Sequence, residues 1–158
     1  MTTTGLGYDI HRFIEGRPLV LGGVEIPHDR GLDGHSDADV LSHAIADAVL
    51  GAIGEQDIGH HFPNTDESIR GISSLEILEK AASLVRTRGG RLINVDATLI
   101  AEAPKIAPHV VTMRERIAAA LGLPAARVGV KATTNEGLGS IGRGEGIAAM
   151  AVAAVEIP

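Results

Sequence analysis

Strand-like and helix-like apolar patterns interleave along this 158-residue chain in the order β-β-α-α-β-α-β-β, which predicts an α/β (α+β) sandwich, one mixed sheet covered by helices. Glycine and proline punctuate the junctions, so the elements have definite ends. Neither an internal repeat nor a linker interrupts them, and the length suits a single domain over residues 1–158.

The first strand is expected from Leu6 to Phe13. After the turn at residues 15–18 a second runs from Leu19 to Ile26 and stops at Pro27, with Gly22 and Gly23 in its middle marking a bulge or a close backbone approach. Ser36 or Asp37 should cap a helix from about Ala38 to Ile53, whose apolar stripe is Leu41, Ile45, Ala48, Val49 and Ala52. Gly54 to Gly71 is polar and irregular; a structureless stretch of that length in a compact domain is usually functional or mobile. Ser73 or Ser74 caps the next helix, which carries Leu75, Leu78, Ala82 and Val85 and ends at Gly89-Gly90. Leu92 to Ala101 follows as a strand rich in Ile, Val and Thr. Pro108 opens a third helix that ends at Leu121, before Gly122 and Pro124. Val128 to Thr134 and Ile147 to Ile157 complete the set as strands.

Composition narrows the function classes. Hydrophobic residues make up 44% and aromatics only 2%, so the core must be built from Val, Ile, Leu and many Ala. Small side chains bury little area each, which favours further burial by oligomerisation. With no cysteine, disulfides and thiolate metal sites are excluded, and a transition metal would have to be held by His and carboxylate. A net charge of -6 and the lack of a basic stripe argue against nucleic acid as partner. The first residues carry no charged and apolar leader pattern, and no apolar run is long enough to cross a bilayer, so a cytoplasmic location without a membrane partner is expected.

Asp9 and His11 stand two apart on the first strand, so they project from one face while Tyr8 and Ile10 point to the other. His43 lies in the helix entered through His35-Ser-Asp-Ala-Asp39. A carboxylate oxygen and two imidazole nitrogens are three ligands, which leave a fourth position open for substrate, as catalytic zinc sites do. Spacing alone leaves zinc, manganese and iron open. Asp39, His43 and Asp47 recur at four-residue intervals, forming a polar line that should face a site or solvent, and Asp47 could orient the His43 ring. His28 and His109 read as incidental; His60 and His61, adjacent on extended chain, would point apart.

Further on, Lys131-Ala-Thr-Thr-Asn-Glu136 sets a cation, two hydroxyls and a carboxylate where a strand meets a glycine-rich turn. Thr133 and Thr134 could donate to phosphate oxygens and Glu136 could hold a hard divalent ion. Residues 142–146 add exposed backbone amides and Arg143 for phosphate contact. A metal site with a phosphate loop describes phosphoryl chemistry.

Taken in order, Gly7-Tyr-Asp-Ile-His11, Gly34-His-Ser-Asp-Ala-Asp39 with His43, Asp57-Ile-Gly59 with Phe62-Pro63, Ala103-Pro-Lys105, Lys131-Ala-Thr-Thr134 with Glu136, and Gly142-Arg-Gly-Glu-Gly146 resemble the 2-C-methyl-D-erythritol 2,4-cyclodiphosphate synthase family, essentially end to end. The resemblance implies a ferredoxin-like fold with helices on one sheet face, in a homotrimer with active sites between subunits. It implies Zn²⁺ on Asp9, His11 and His43, and Mg²⁺ or Mn²⁺ on Glu136 bridging a diphosphate. Its substrate is a cytidine diphosphate ester whose own 2-phosphate attacks the β-phosphorus and displaces CMP. His35 and Thr134 would stabilise the transition state, and Ser36 would hold the 2-phosphate. Asp57, Ile58 and Gly59 would meet ribose and erythritol, with Phe62, Pro63, Asn64, Thr65 and Asp66 as a flexible flap. Ala101, Glu102, Ala103, Pro104, Lys105, Ile106 and Ala107 would form the cytidine pocket, and Ile10, Thr133, Asn135 and Ser140 would also touch substrate. Arg143 and Glu145 would lie near the threefold axis, where the family has a cavity suited to isoprenoid diphosphates. The chain departs from the family at Asn64, where Asp is expected, at Ser140 and Ile141, where an aromatic and Thr are usual, and at Gly137. A phosphate-ester hydrolase and a non-catalytic isoprenoid-diphosphate binder are the competing readings; three ligands with an open position favour catalysis.

Overall fold

The computed structural model describes all 158 residues. β1 (Thr2–Ile14) pairs antiparallel with β7 (Gly146–Glu156), which pairs antiparallel with β5 (Arg91–Ile100), which pairs parallel with β6 (Val128–Thr133). A two-residue β4 (Gly31–Leu32) flanks β1, giving the order β4-β1-β7-β5-β6. This is the mixed sheet that the sequence predicts. Its connectivity is not the β-α-β-β-α-β order of a ferredoxin-like fold. Between β5 and β6 the chain forms α4 (Val110–Leu121), and a helical crossover makes neighbouring strands parallel where a hairpin would make them antiparallel.

The expected second strand is instead a hairpin, β2 (Leu19–Leu21) and β3 (Val24–Ile26). Gly22 and Gly23 have φ of +58° and +73°, the conformation of a primed two-residue turn, so the pair reverses the chain rather than bulging it. The segment from Gly54 to Gly71 is not structureless either: it holds α2 (Ile58–His61) and a 3-10 turn at Glu67–Ile69. His60 and His61 therefore sit on a helical turn.

The helices cover one sheet face. α1 (Val40–Ala52) lies across β1, β7 and β5, α3 (Ser74–Thr87) packs on α1, and α4 packs on α3 and β6. Almost every residue of α1 is buried, so the line through Asp39, His43 and Asp47 is no solvent face. Ala38 has a positive φ, and the helix begins at Asp39 rather than Ser36 or Asp37. The Asp39 carboxylate is fully buried and accepts from Ser42 N at 3.0 Å, Gly22 N at 2.9 Å and Gly23 N at 2.7 Å. One side chain thus caps α1 and fastens the hairpin tip to it. Burial, and then the neighbouring Asp37, push its carboxyl above the usual range.

α1 approaches β1 closely because Gly5 and Gly7 have no side chain. A Cβ on Gly7 would stand 1.8 Å from the Ala44 carbonyl oxygen, and one on Gly5 2.0 Å from that of Ala48. Gly7→Ala is expected to lower the unfolding free energy by about 3 kcal/mol, seen as a lower urea midpoint with an unchanged slope.

Candidate metal centre and substrate cleft

Asp9 and His11 project from the helix-facing side of β1, and His43 comes down from α1 to meet them. Asp9 Oδ2 is 2.9 Å from His11 Nε2 and 3.0 Å from His43 Nδ1, and the two ring nitrogens are 3.3 Å apart. The three form a compact group of potential metal ligands.

The remaining ring nitrogens decide what these atoms offer. His11 Nδ1–H donates to the Asp33 carbonyl at 2.6 Å, which leaves Nε2 as the lone-pair nitrogen. His43 Nε2 meets Ser74 Oγ at 2.8 Å and Ser36 Oγ at 3.1 Å, and its Nδ1 faces Asp9. Without a proton or a cation between them, three acceptors within about 3 Å would repel one another. The donor set therefore fits a divalent metal held by one carboxylate and two neutral imidazoles. No hydrogen bond joins Asp47 to the His43 ring, whose nitrogens meet Asp9, His11, Ser36 and Ser74; Asp47 Oδ1 accepts from Ile58 N at 2.9 Å and so holds the start of α2. Burial, most of all, pushes Asp47 up.

Burial alone would raise the Asp9 carboxyl, but hydrogen bonds from His11 and His43 outweigh it and hold it at about 2. Burial disfavours a charged His11 ring, yet the Asp9 bond and charge win and raise it above 6.5.

A cleft of about 170 Å³ opens beside the group. His35 and Ser36 line it from the turn before α1, Ile58 and Gly59 from α2, and Phe62 and Asn64 from the flap. His35 Nε2–H donates to the Asp66 carbonyl at 2.9 Å, and Gly71 N donates to the His35 carbonyl at 2.9 Å, so His35 ties the flap down at both ends. Asp57 caps α2 through His60 N at 3.1 Å, and Asp66 caps the following 3-10 turn. Pro63, Thr65 and Asp66 are exposed and do not line the cleft.

The other expected contacts form a separate cluster at the carboxy ends of β5 and β6. Ala101 N donates to the Thr133 carbonyl at 2.9 Å, and Glu102 Oε1 accepts from Asn135 N at 3.1 Å and Gly137 N at 3.0 Å. Residues 131 to 140 are exposed throughout, including Thr134, Glu136 and Ser140. Glu136 N donates to Thr134 Oγ1 at 3.1 Å. Lys131 is spent on an ion pair with Asp96 at 2.5 Å rather than held for phosphate. Asp9 stands level with Leu99 and Ala132, but two and three strands away, about 10 and 14 Å. One chain does not bring Ala103 to Ala107 or Thr133 to Glu136 to the metal group.

Ile10 points away from Asp9, as strand alternation requires. With Phe13, Arg30, Ser140, Ile141 and Glu145 it lines a different cavity of about 540 Å³. Arg143 bonds Glu145 at 2.6 Å beside it.

The sequence reading missed Ser74 and Asp37, whose side chains join behind His43. Only the adjacency of two serines at a helix start could have hinted that one caps the helix while the other turns inward. Ser73 is the cap and Ser74 is fully buried.

The model of the YgbB family matches residues 2–156. The chain is 64% identical over 156 residues to the 2-C-methyl-D-erythritol 2,4-cyclodiphosphate synthase of Akkermansia muciniphila, covering 98% of this chain and 92% of that protein. It is similar to the bifunctional IspDF from Campylobacter jejuni, with a TM-score of 0.95 and 44% identity over 100% of this chain and 43% of that one. It is also similar to IspF of Plasmodium falciparum in its CDP complex, with a TM-score of 0.86 and 33% identity over 99% and 96% of the two chains.

A divalent metal must displace the proton that His11 retains above 6.5, while Asp9 stays anionic down to about 2. Metal affinity, measured by chelator competition, is therefore expected to fall as the pH drops through neutrality.

Proposed function

This chain belongs to the YgbB family, and from that premise we propose that it converts 4-diphosphocytidyl-2-C-methyl-D-erythritol 2-phosphate to 2-C-methyl-D-erythritol 2,4-cyclodiphosphate and CMP, as a phosphorus–oxygen lyase of the non-mevalonate isoprenoid pathway. The convergence of Asp9 Oδ2, His11 Nε2 and His43 Nδ1 beside a cleft carries the reading. The name of the 64%-identical relative and the CDP bound by the Plasmodium relative support it.

An oxygen of the substrate's 2-phosphate attacks the β-phosphorus. One phosphorus–oxygen bond forms as the bond to the bridging oxygen breaks, and the electron pair departs with CMP. Nucleophile and electrophile belong to one molecule, so the protein contributes placement and charge rather than a nucleophile of its own. A zinc ion on the triad would supply Lewis-acid polarisation of a phosphoryl oxygen, and Mg²⁺ or Mn²⁺ on the exposed Glu136 carboxylate would offset diphosphate charge. His35 and Ser36 flank the triad on one turn, where the His35 ring can exchange its flap carbonyl for a phosphate oxygen. Ile58, Gly59, Phe62 and Asn64 wall the cleft, and with Asp57 and the rest of the flap beside them they would meet the sugar hydroxyls. Thr134 Oγ1 would donate to phosphate, and the backbone from Ala101 to Ala107 would offer amides and carbonyls to a cytosine edge.

Because the metal group and the Thr133–Glu136 cluster lie apart on one chain, a neighbouring copy would complete each site. The bare face of the sheet favours such assembly. Leu6 opposes Val152 and Tyr8 opposes Met150 across β1 and β7, all exposed, with Ile10 next in line. A homotrimer would cover that face, and the cavity of Phe13, Arg30 and Ile141 would lie toward its axis, where an isoprenoid diphosphate could bind. A cytoplasmic location accords with the fact that no helix is long and apolar enough to cross a membrane.

Phosphorus NMR with the cytidine-linked substrate, zinc and magnesium is expected to show the cyclic diphosphate appearing with CMP. A linear diphosphate would mean hydrolysis, and no conversion with metal bound would mean a binding module. His43→Ala is expected to lower turnover by about 10³-fold or more while the oligomer persists in sedimentation. Arg143→Ala should loosen assembly or axial ligand binding more than it slows the chemistry, which the same two measurements separate.

A further inference from the structure

We propose that Ser74 and Asp37 are positioning residues that hold His43 in the tautomer and ring orientation needed for ligation. The inference rests on the metal reading of Asp9, His11 and His43. For Nδ1 of His43 to offer a lone pair, Nε2 must carry the proton. That nitrogen lies 2.8 Å from Ser74 Oγ. A serine hydroxyl can accept from an imidazole nitrogen or donate to it, and donation would leave the proton on the wrong side of the ring.

Asp37 removes the choice. Its carboxylate accepts the Ser74 hydroxyl hydrogen, and it also accepts the Ser74 backbone N–H at 3.0 Å. With its only hydrogen committed to Asp37, the Ser74 oxygen can only accept from His43. The bonds therefore run one way, from Nε2–H to Ser74 Oγ to Asp37. Ser36 Oγ also approaches Nε2, at 3.1 Å, and accepts from Ala38 N at 3.1 Å, but no carboxylate fixes the direction of its hydroxyl. Ser74 is fully buried and His43 is only 5% exposed, so water does not readily substitute. The arrangement is a serine-relayed form of the carboxylate–histidine–metal pattern, in which the outer partner sets tautomer and basicity. It also joins elements far apart in sequence, because Ser74 opens α3, Asp37 precedes α1, and Asp37 N donates to the Ile72 carbonyl at the end of the flap at 3.1 Å.

Zinc affinity of the full chain, measured by chelator competition, tests the relay together with the ring N–H resonance of His43 in the zinc-loaded protein. Ser74→Ala keeps the backbone bond to Asp37 and with it the start of α3. It is expected to weaken zinc about 10- to 100-fold and to expose the Nε2 proton to rapid exchange with solvent. Asp37→Asn preserves size but sets an amide N–H against a donor, and should produce the same loss with Ser74 in place. Parent-like zinc affinity with a protected ring proton in both variants would overturn the relay. Failure of the parent chain to bind zinc would overturn the ligand reading and the relay together. Tight zinc binding by the parent without conversion of substrate would remove the proposed reaction and, with the variant losses, leave the relay standing.

Discussion

The close approach of α1 to β1 is the constraint on which the rest of the molecule depends. Gly5 faces Ala48 and Ala52, and Gly7 faces Ala44 and Ala48. Two residues along a strand advance about 6.6 Å and four along a helix about 6 Å, so the antiparallel pair keeps step. The next inward position on the strand is Asp9, and His43 stands on the helix one residue before Ala44, the alanine that Gly7 meets. The Asp9, His11 and His43 group thus sits at the end of a ladder whose rungs are glycine on alanine. A larger side chain at Gly5 or Gly7 would lift the helix and carry His43 away from the strand carboxylate. The scarcity of aromatics and the wealth of alanine in the core belong to the same geometry, since contacts this short leave no room for larger groups.

Charge is arranged around that ladder before any ligand arrives. Asp9 is anionic at all ordinary pH values, and the far nitrogens of both rings have partners of their own, the Asp33 carbonyl and the Ser74 hydroxyl. Partners behind the ligands lower the reorganisation that binding would otherwise require. The carboxylates on either side of His43 have other duties. Asp39 joins the hairpin to the start of α1, and Asp47 fixes the first amide of α2. Three polar residues at four-residue spacing thus serve as a cap, a candidate metal ligand and a loop anchor.

Strands and helices were legible because hydrophobic period and glycine stops survive in the primary sequence, and the Asp9, His11 and His43 set was legible because strand alternation forces two of its members onto one face. Gly22-Gly23 was ambiguous, since paired glycines suit a bulge and a primed turn equally until the flanking strands are known to pair. The roles of Asp39, Asp47 and Ser74 depend on which buried donors lie nearby, a tertiary fact with no local signature. The ferredoxin-like connectivity rests on the resemblance and not on the order of elements, which already sets a helix between the strands corresponding to β5 and β6 and so matches their parallel pairing. The distance between the Asp9 group and the Thr133–Glu136 turn was invisible because a motif list carries no lateral coordinate.

The outer face of the sheet has one more consequence. The chain contains a single tyrosine and no tryptophan, and that tyrosine, Tyr8, stands on the open face directly opposite Met150. Its ultraviolet emission therefore originates at one known place, free of background from the core. The molecule carries an intrinsic optical probe on the face where the proposed assembly would close, on the residue next to Asp9 along the same strand, while Asp9 faces the opposite way.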